Sequence, residues 1–112
     1  MTDMTAEAVF HLTDPAHWTE AQTTGEIVPP GFSAEGFVHC STQGQLVGTI
    51  ERHFAGTDEL VLLELDQAAL GAALRWEESR PGEVYPHVYR PLVLADVVRA
   101  IPWHRAPDGG VN

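Results

Sequence analysis

Two histidines of the chain lie in apolar, strand-like stretches beside hydroxyl groups. The stretch HLT at 11–13 places His11 two residues before Thr13, and FVHCST at 37–42 places His39 two residues before Ser41. Because alternate side chains of a strand project from the same face, each histidine shares a face with its hydroxyl. If the two strands are neighbours, these groups converge on one patch that could hydrogen-bond ribose hydroxyls or an amide. The alternative is that each histidine is a buried core residue with a satisfied tautomer.

A second pair of candidate groups lies in the stretch LRWEES at 74–79. There Arg75 and Glu77 share one strand face, and Trp76 occupies the other. Arg75 is a candidate anchor for a phosphate or carboxylate, and Glu77 is a candidate acceptor for sugar hydroxyls or a general base. The alternative is an exposed ion pair, which contributes little to stability, with Trp76 in the core.

The stretch VYPHVY at 84–89 places a third histidine between two tyrosines. In a regular strand Tyr85, His87 and Tyr89 project from one face. Their rings suit stacking on a flat ligand ring, and they equally suit ordinary cross-strand packing. Pro86 interrupts the stretch and is expected at an edge or a bend, because proline cannot donate to a strand ladder.

The composition indicates a folded protein with an acidic surface. The 112 residues include 44% hydrophobic and 20% charged residues, and sixteen acids outnumber six arginines to give a formal charge of −10. Such a surface repels phosphate backbones and anionic lipids, so extended nucleic-acid binding and membrane binding are not expected. No apolar run approaches the roughly 20 residues of a membrane span. The first ten residues lack a basic region followed by an apolar one, so we expect no secretory signal and a cytoplasmic location.

The single cysteine and the histidine spacing bear on metal binding. Cys40 alone excludes an intramolecular disulfide and a cysteine-based metal cluster. It is expected to be a buried structural residue, with a catalytic thiol as the alternative. Three histidines with Glu77 could instead form a metal site, but the short ligand spacing typical of such sites is missing, so no metal is expected.

The hydrophobic patterns predict short strands and two main helices in a single domain over 1–112. Asp14 and Pro15 predict a helix start and Gly25 its end, and a second helix is predicted over 42–54 with Leu46 and Ile50 in its buried stripe. Residues 26–36 are predicted to form a loop. The ordered core is expected over about 7–104, with a flexible tail at 105–112. Strands are predicted at 8–13, 37–41, 59–66, 74–79, 84–89 and 97–103, with a helical turn at 67–73. This order predicts an α+β fold.

Four motifs in this order resemble the bacterial family called domain of unknown function 952. They are GFVHCST, RHFAG, LVLLELD and LRWEESRPGEVYPHVYRPL, and together they span most of the chain. The sequence departs from the family pattern at Tyr85, where phenylalanine is frequent, at Arg90, where glycine is frequent, and at Pro81–Gly82, where two glycines are frequent. By this resemblance Arg90 is expected at the end of the ligand pocket.

That family resembles the ADP-ribosyltransferase-like superfamily, which implies a split, mostly antiparallel β-sheet that clamps NAD. The amino-terminal half also resembles RNA 2'-phosphotransferases, in which a strand carrying H-G-T precedes a helix, a glycine turn and a second histidine-bearing strand. By this resemblance His11 matches the histidine that bonds the NAD ribose, and Ser41 lies in the second-strand region. The chain has no arginine before Arg52, so RNA 2'-phosphate transfer is not expected. Glu77 and Glu83 are the candidates for the glutamate that activates an acceptor.

The resemblance therefore predicts a domain that binds NAD or an ADP-ribose-like nucleotide, with cleavage of the nicotinamide glycosidic bond as its candidate reaction. The alternative is a non-catalytic module that binds another small metabolite in the same pocket. The candidate catalytic residues are Glu77, His87 and His39. The candidates for cofactor binding are His11, Thr13, Ser41, Arg75, Tyr85 and Tyr89.

Overall fold

The chain folds into short strands with two principal helices, as the α+β prediction required. The computed structural model describes residues 7–109; residues 1–6, and with them most of the segment analysed for a secretory signal, and the end of the predicted tail, 110–112, lie outside the described residues. The helices are α1 (Pro15–Thr24), α2 (Phe32–Glu35), α3 (Leu46–His53) and α4 (Gln67–Leu70). The strands are β1 (Val9–Thr13), β2 (Glu26–Ile27), β3 (Val38–His39), β4 (Ser41–Thr42), β5 (Glu59–Leu65), β6 (Leu74–Arg80), β7 (Glu83–Val88), β8 (Leu92–Val93) and β9 (Val97–His104).

The strands form three sheets, and every pairing within residues 7–109 is antiparallel. The largest sheet has the order β4-β1-β5-β9, the second has the order β3-β7-β6, and β2 pairs with β8. Strand β5 lies between β1 and β9, and its near-continuous apolar run is typical of a strand that is buried on both faces. Its side chains contribute to the main core, which also contains Val9, Ala21, Val38 and Leu92.

Helix α1 begins and ends where the local sequence predicts, whereas α3 begins at Leu46, later than the predicted start at 42. The Asp14 carboxylate accepts a hydrogen bond of 2.7 Å from the backbone N–H of His17, and α1 ends at Gly25 with φ +88°. Thr42 and Gln45 form a capping box at the 3₁₀ turn Gln43–Gln45, which leads directly into α3. Ile50 on α3 is buried in a second core cluster, as its place in the predicted apolar stripe requires.

The predicted single strand at 37–41 is wrong, because the chain changes sheets at Cys40. Strand β3 pairs with β7, whereas β4 pairs with β1 of the large sheet. The expectation that Pro86 lies at an edge or bend is also wrong, since β7 is the central strand of its sheet. The carbonyl of Pro86 accepts a hydrogen bond of 3.1 Å from the Cys40 N–H, but proline has no N–H to donate in return. The β3–β7 ladder therefore ends at Cys40, and the chain continues into the other sheet.

Two further expectations also require correction. The loop predicted over 26–36 contains strand β2 and the short helix α2, so only part of it is irregular. Trp76, which the ion-pair alternative placed in the core, has 45% of its surface exposed. In β6, Trp76 lies opposite Pro86 on the face of the small sheet that does not carry His87.

Arg90 forms a half-buried ion pair that joins the segment between β7 and β9 to α4. Its guanidinium donates hydrogen bonds of 2.8 Å and 3.0 Å to the two carboxylate oxygens of Asp96, which is 2% exposed. The Val93 N–H also donates to Asp96, at 2.8 Å, and the Asp66 N–H donates to the Asp96 carbonyl. Arg90 therefore does not line the ligand cleft described below, contrary to the expectation from the family pattern.

The segment expected to be flexible begins with an anchored residue. The Arg105 guanidinium donates hydrogen bonds of 2.9 Å and 3.0 Å to the backbone carbonyls of Phe54 and Thr57. These contacts connect the end of β9 to the turn that follows α3.

We expect Asp96→Asn to lower the free energy of unfolding by about 3 kcal/mol, because it leaves Arg90 facing a partner without charge. Burial alone would raise the pKa of Asp96, but hydrogen bonds from Arg90 and the Val93 backbone hold it below the usual value. The charged form therefore contributes stability above the unfolded pKa of about 3.9, and this contribution is lost as the pH falls through the lower folded pKa. Urea unfolding of both proteins at pH 7 and pH 3 measures the difference, which should shrink at the lower pH.

The matched control is Arg99→Gln, which removes an exposed ion pair with Glu64. That change should alter the free energy of unfolding by less than about 1 kcal/mol. Equal losses in the two variants would contradict a special structural role for the Arg90–Asp96 pair.

Candidate functional site

A cleft of about 980 Å³ opens where the two larger sheets meet. Its floor comes from β1 and β4, one wall comes from residues of α1 to α2, and the other comes from α3 and the end of the β6–β7 hairpin. The volume is at the upper end of that of small-molecule sites, and aromatic and aliphatic side chains alternate with polar groups in the lining. The cleft is therefore large enough for a ligand of the size of a dinucleotide or a smaller metabolite.

The structure brings five of the predicted site residues into the lining of this cleft. They come from three separate strand regions and are His11, Thr13, His39, Ser41 and Tyr85. The convergence depends on the pairing of β1 with β4, in which Phe10 lies opposite Ser41. The two histidine-bearing segments are thus neighbours, which is the condition on which the predicted patch depended, although His39 itself belongs to the other sheet.

His11 is held in one orientation at the floor of the cleft. Its Nδ1–H donates a hydrogen bond of 2.9 Å to the backbone carbonyl of His39, which can only accept. Burial lowers the pKa of His11, so the ring is neutral near pH 7. The Nε2 atom then carries a lone pair, and within the described chain it has no hydrogen-bond partner. His11 can therefore accept a hydrogen bond from a ligand hydroxyl or amide.

Hydroxyl groups continue the polar surface from the floor onto α3. The Ser41 and Thr49 hydroxyls are 2.9 Å apart, so one donates to the other and the second keeps a free hydrogen. Thr13 lies two residues beyond His11 on β1, where it also lines the cleft. These hydroxyls supply hydrogen-bond donors and acceptors next to the His11 imidazole.

The side chains of His39 and Glu35 are hydrogen-bonded to each other on the wall opposite α3. The His39 Nε2 lies 2.9 Å from Glu35 Oε1, and roughly half of each side chain is exposed. Glu35 lies on α2, within the segment that the sequence predicted as loop. It is the carboxylate that stands beside His39 in the cleft, whereas Glu77 does not line it.

The other predicted site residues form a separate cluster on the same face of the small sheet. The His87 Nδ1–H donates to Glu77 Oε1 at 2.7 Å, and the Tyr89 hydroxyl donates to the same oxygen at 2.7 Å. These two bonds, with that from His87 the stronger, lower the pKa of Glu77. The Arg75 guanidinium lies over the Tyr89 ring, 4.9 Å from its centroid. This set, which we call the His87 cluster, comprises Arg75, Glu77, His87 and Tyr89.

Two aromatic rings lie between the His87 cluster and the cleft. Phe37 stacks on the His87 ring with centroids 4.2 Å apart, and the His39 ring meets it edge-on at 5.4 Å. Both rings line the cleft, whereas His87 does not. The Nε2 atom of His87 is buried and has no partner within the described residues. His87 and Glu77 are thus adjacent to the cleft without contributing to its surface.

Two arginines of the lining carried no predicted role. Arg52 lies in the last turn of α3 and donates a hydrogen bond of 2.5 Å to the Tyr85 hydroxyl, and Arg80 ends β6. The spacing of Arg52 from Thr49 by three residues places both on one side of a helix. That signal was present in the sequence, but it could not indicate which side of α3 faces a cleft.

Cys40, possible metal ligands and the lengths of the helices bear on three other kinds of function. Cys40 is buried, and burial raises the pKa of its thiol far above the usual range, so it is not a thiolate at neutral pH. Among residues 7–109 no group of three or more His, Cys, Asp or Glu side chains is arranged to hold a metal ion. None of the helices in the described part of the chain is both long and apolar enough to cross a membrane.

Comparisons with known proteins identify relatives over nearly the whole chain. The family described as "Protein of unknown function (DUF952)" matches residues 12–100. The X-ray crystal structure of protein CC0527 from Caulobacter crescentus is similar with a TM-score of 0.85 and 33% identity, covering 94% of this chain and 93% of that chain. The solution NMR structure of CC0527 gives a TM-score of 0.82 and 33% identity, covering 94% and 91% of the two chains. No curated protein matches the chain significantly.

We expect His11 to titrate below the usual histidine pKa of about 6.5 and to carry its proton on Nδ1 when neutral. His17 provides an internal control, because its hydrogen bond to Asp14 raises its pKa. Two-dimensional ¹H–¹⁵N spectra recorded across a pH series assign both the tautomer and the midpoint for each ring. A His11 midpoint above that of His17 would contradict the burial of the neutral ring.

The same shift predicts how stability responds to pH. Because the folded pKa of His11 is depressed, the neutral ring contributes stability above the unfolded pKa of about 6.5. That contribution is lost as the pH falls from there towards the folded value.

Proposed function

The chain belongs to the DUF952 family, as its four motifs predicted, and we propose that it binds NAD or an ADP-ribose-like nucleotide in the cleft. The observation that carries the proposal is the convergence of the neutral His11 ring with the hydroxyls of Thr13 and Ser41 inside one cleft of about 980 Å³. An acceptor nitrogen beside hydroxyl donors is suited to the paired hydroxyls of a ribose. The apolar ring of Phe37 supplies a flat surface for a base.

The resemblance to ADP-ribosyltransferases adds a second line of support. In that superfamily a histidine of the first strand bonds the NAD ribose, and by this resemblance His11 on β1 is the matching histidine. The same resemblance matches Ser41 on β4 to the second-strand region. In this protein β4 is the direct neighbour of β1, which puts both residues within reach of one sugar.

A non-catalytic binding module is the second candidate function, and the position of Glu77 favours it. Cleavage of the nicotinamide glycosidic bond needs a carboxylate near the developing positive charge on the ribose. Glu77 accepts hydrogen bonds from His87 and Tyr89 outside the lining of the cleft. Glu35 lines the cleft but is paired with His39. Binding without turnover is therefore the simpler use of the site.

We expect ADP-ribose and NAD to bind to the wild type and to bind Thr13→Val at least about tenfold more weakly, the effect of losing one hydrogen bond of about 1.4 kcal/mol. The substitution keeps the shape and the β-branch of the side chain, so the strand should be retained. His11→Ala, which also removes the contact to the His39 carbonyl, should weaken binding further. Calorimetric titration of each protein, in chelator, measures the dissociation constants.

Glu77→Gln is the control for this titration, because Glu77 lies outside the lining of the cleft. It should leave the affinity for both ligands unchanged. Circular dichroism of each variant checks the fold. The absence of heat with NAD and ADP-ribose at millimolar concentration would refute the proposal.

Chromatography of NAD after incubation with the protein separates the two candidate functions. A binding module should release no nicotinamide above the rate without protein. An enzyme that uses Glu77 should release nicotinamide and lose this activity in Glu77→Gln. An enzyme that uses Glu35 should instead lose the activity in Glu35→Gln.

A further inference from the structure

We propose that Arg52, together with the Tyr85 hydroxyl, forms a phosphate-binding subsite on the α3 wall of the cleft. The inference deepens the proposed function, on which it rests, by assigning the diphosphate of the ligand to one wall. The sequence favoured Arg75 for this role. The structure places Arg75 over Tyr89 in the His87 cluster, whereas Arg52 lines the cleft.

Within the described residues Arg52 lacks the carboxylate partner that most arginines of this acidic protein have, and Arg75, which also lacks one, lies outside the cleft. Arg90 pairs with Asp96, Arg99 pairs with Glu64, and Arg105 lies 3.7 Å from Asp58. Within the described residues no carboxylate lies within ion-pair distance of Arg52, although acids outnumber arginines sixteen to six. Its positive charge in the cleft is therefore available to an anionic ligand.

Tyr85 and Gly48 hold the Arg52 guanidinium in place. The Tyr85 hydroxyl accepts a hydrogen bond of 2.5 Å from Nη2, and the guanidinium carbon lies 5.9 Å from the centroid of the ring. The side chain also folds back along α3, so that a Cβ at Gly48 would come within 3.0 Å of Nη1. Glycine at position 48 thus leaves the space that the guanidinium occupies.

The groups around Arg52 present hydrogen-bond donors to the cleft. Because the Tyr85 oxygen accepts from Arg52, its own hydrogen is free to donate. The Ser41–Thr49 pair likewise keeps one free hydroxyl hydrogen. Arg80 adds a second positive charge to the lining. It is half exposed, and its contact with Glu83 is long, at 4.0 Å from Nε to Oε1. Hydroxyl donors beside two arginines match the oxygens of a phosphate group.

The wall opposite α3 is acidic, and this charge would orient a bound ligand. Four acids of the lining belong to the segment from the start of α1 to α2, and they are Asp14, Glu20, Glu26 and Glu35. An anionic group is repelled from that wall and attracted to α3. A nucleotide would therefore place its phosphates at Arg52 and its uncharged or cationic end towards Glu35.

The test compares ADP-ribose, inorganic pyrophosphate and adenosine as ligands for the wild type, Arg52→Gln and Arg99→Gln. Arg99→Gln is the matched control, because it makes the same change in charge at an exposed site outside the cleft. We expect Arg52→Gln to lower the affinity for ADP-ribose at least tenfold and to abolish measurable pyrophosphate binding. The affinity for adenosine should stay unchanged. The dependence of ADP-ribose affinity on salt should also decrease in this variant. Arg99→Gln should bind all three ligands as the wild type does.

Gly48→Ala tests the geometry without removing the charge. Alanine favours the helix, so α3 should become more stable, yet the new methyl group would lie 3.0 Å from Arg52 Nη1 and so shifts the guanidinium relative to the Tyr85 hydroxyl. We expect ADP-ribose affinity to fall several-fold while the melting temperature does not decrease. Such a loss cannot be attributed to unfolding.

The outcomes separate this inference from the proposed function. Undiminished ADP-ribose and pyrophosphate binding in Arg52→Gln would overturn the subsite while leaving nucleotide binding intact, and equal weakening of adenosine and ADP-ribose would also overturn it. Pyrophosphate binding that depends on Arg52, without any affinity for NAD or ADP-ribose, would support the phosphate subsite and refute the proposed nucleotide binding. No binding of any ligand would refute both.

Discussion

The architecture depends on a half-formed backbone pair between Cys40 and Pro86. The Cys40 N–H donates to the Pro86 carbonyl, but proline returns no hydrogen bond, so the ladder between β3 and β7 cannot extend further. The segment from Val38 to Thr42 therefore serves two sheets, first beside β7 and then beside β1. Burial of Val38 and Cys40 in the main core holds this crossing in place. A proline in a central strand, which is otherwise unfavourable, here sets the position at which the two sheets separate.

The cleft follows from that crossing. Because the two sheets diverge at Cys40, the residues on either side of it face a common space rather than a packed interface. His39 remains on the small sheet and Ser41 joins the large one, while the His11 ring connects the two by donating to the His39 carbonyl. This hydrogen bond sets the neutral tautomer of His11 and turns its other nitrogen into an acceptor. A group that stabilises the junction therefore also supplies the polar floor of the cleft.

The charges of the cleft are divided between its walls. Acids accumulate on the wall of α1 and α2, whereas Arg52 and Arg80 lie on the wall of α3 and the β6–β7 hairpin. A phosphate-bearing ligand gains attraction at one wall and is repelled at the other, which provides orientation more than affinity. The His87 cluster lies just outside, covered by Phe37 and His39.

The sequence by itself determined the features that depend on neighbouring residues. Asp14, Pro15 and Gly25 specify α1 through capping and backbone preference, and the alternation of side chains correctly placed His11 with Thr13 and Arg75 with Glu77 on common faces. The family membership was likewise contained in local motifs. No local motif indicates that the apparent strand breaks at Cys40. The break arises from Pro86, 46 residues away, whose missing N–H matters only once the two strands are paired.

Only the tertiary structure decided which candidates share a cleft. Arg52 and Arg75 carry the same charge, yet the packing of α3 directs the first into the cleft and the Tyr89 ring retains the second outside it. Glu35 lines the cleft because it lies on the short helix α2, in a stretch rich in glycine and proline where local signals favour a loop. These choices depend on contacts between segments far apart in the chain, and no local pattern of residues encodes such contacts.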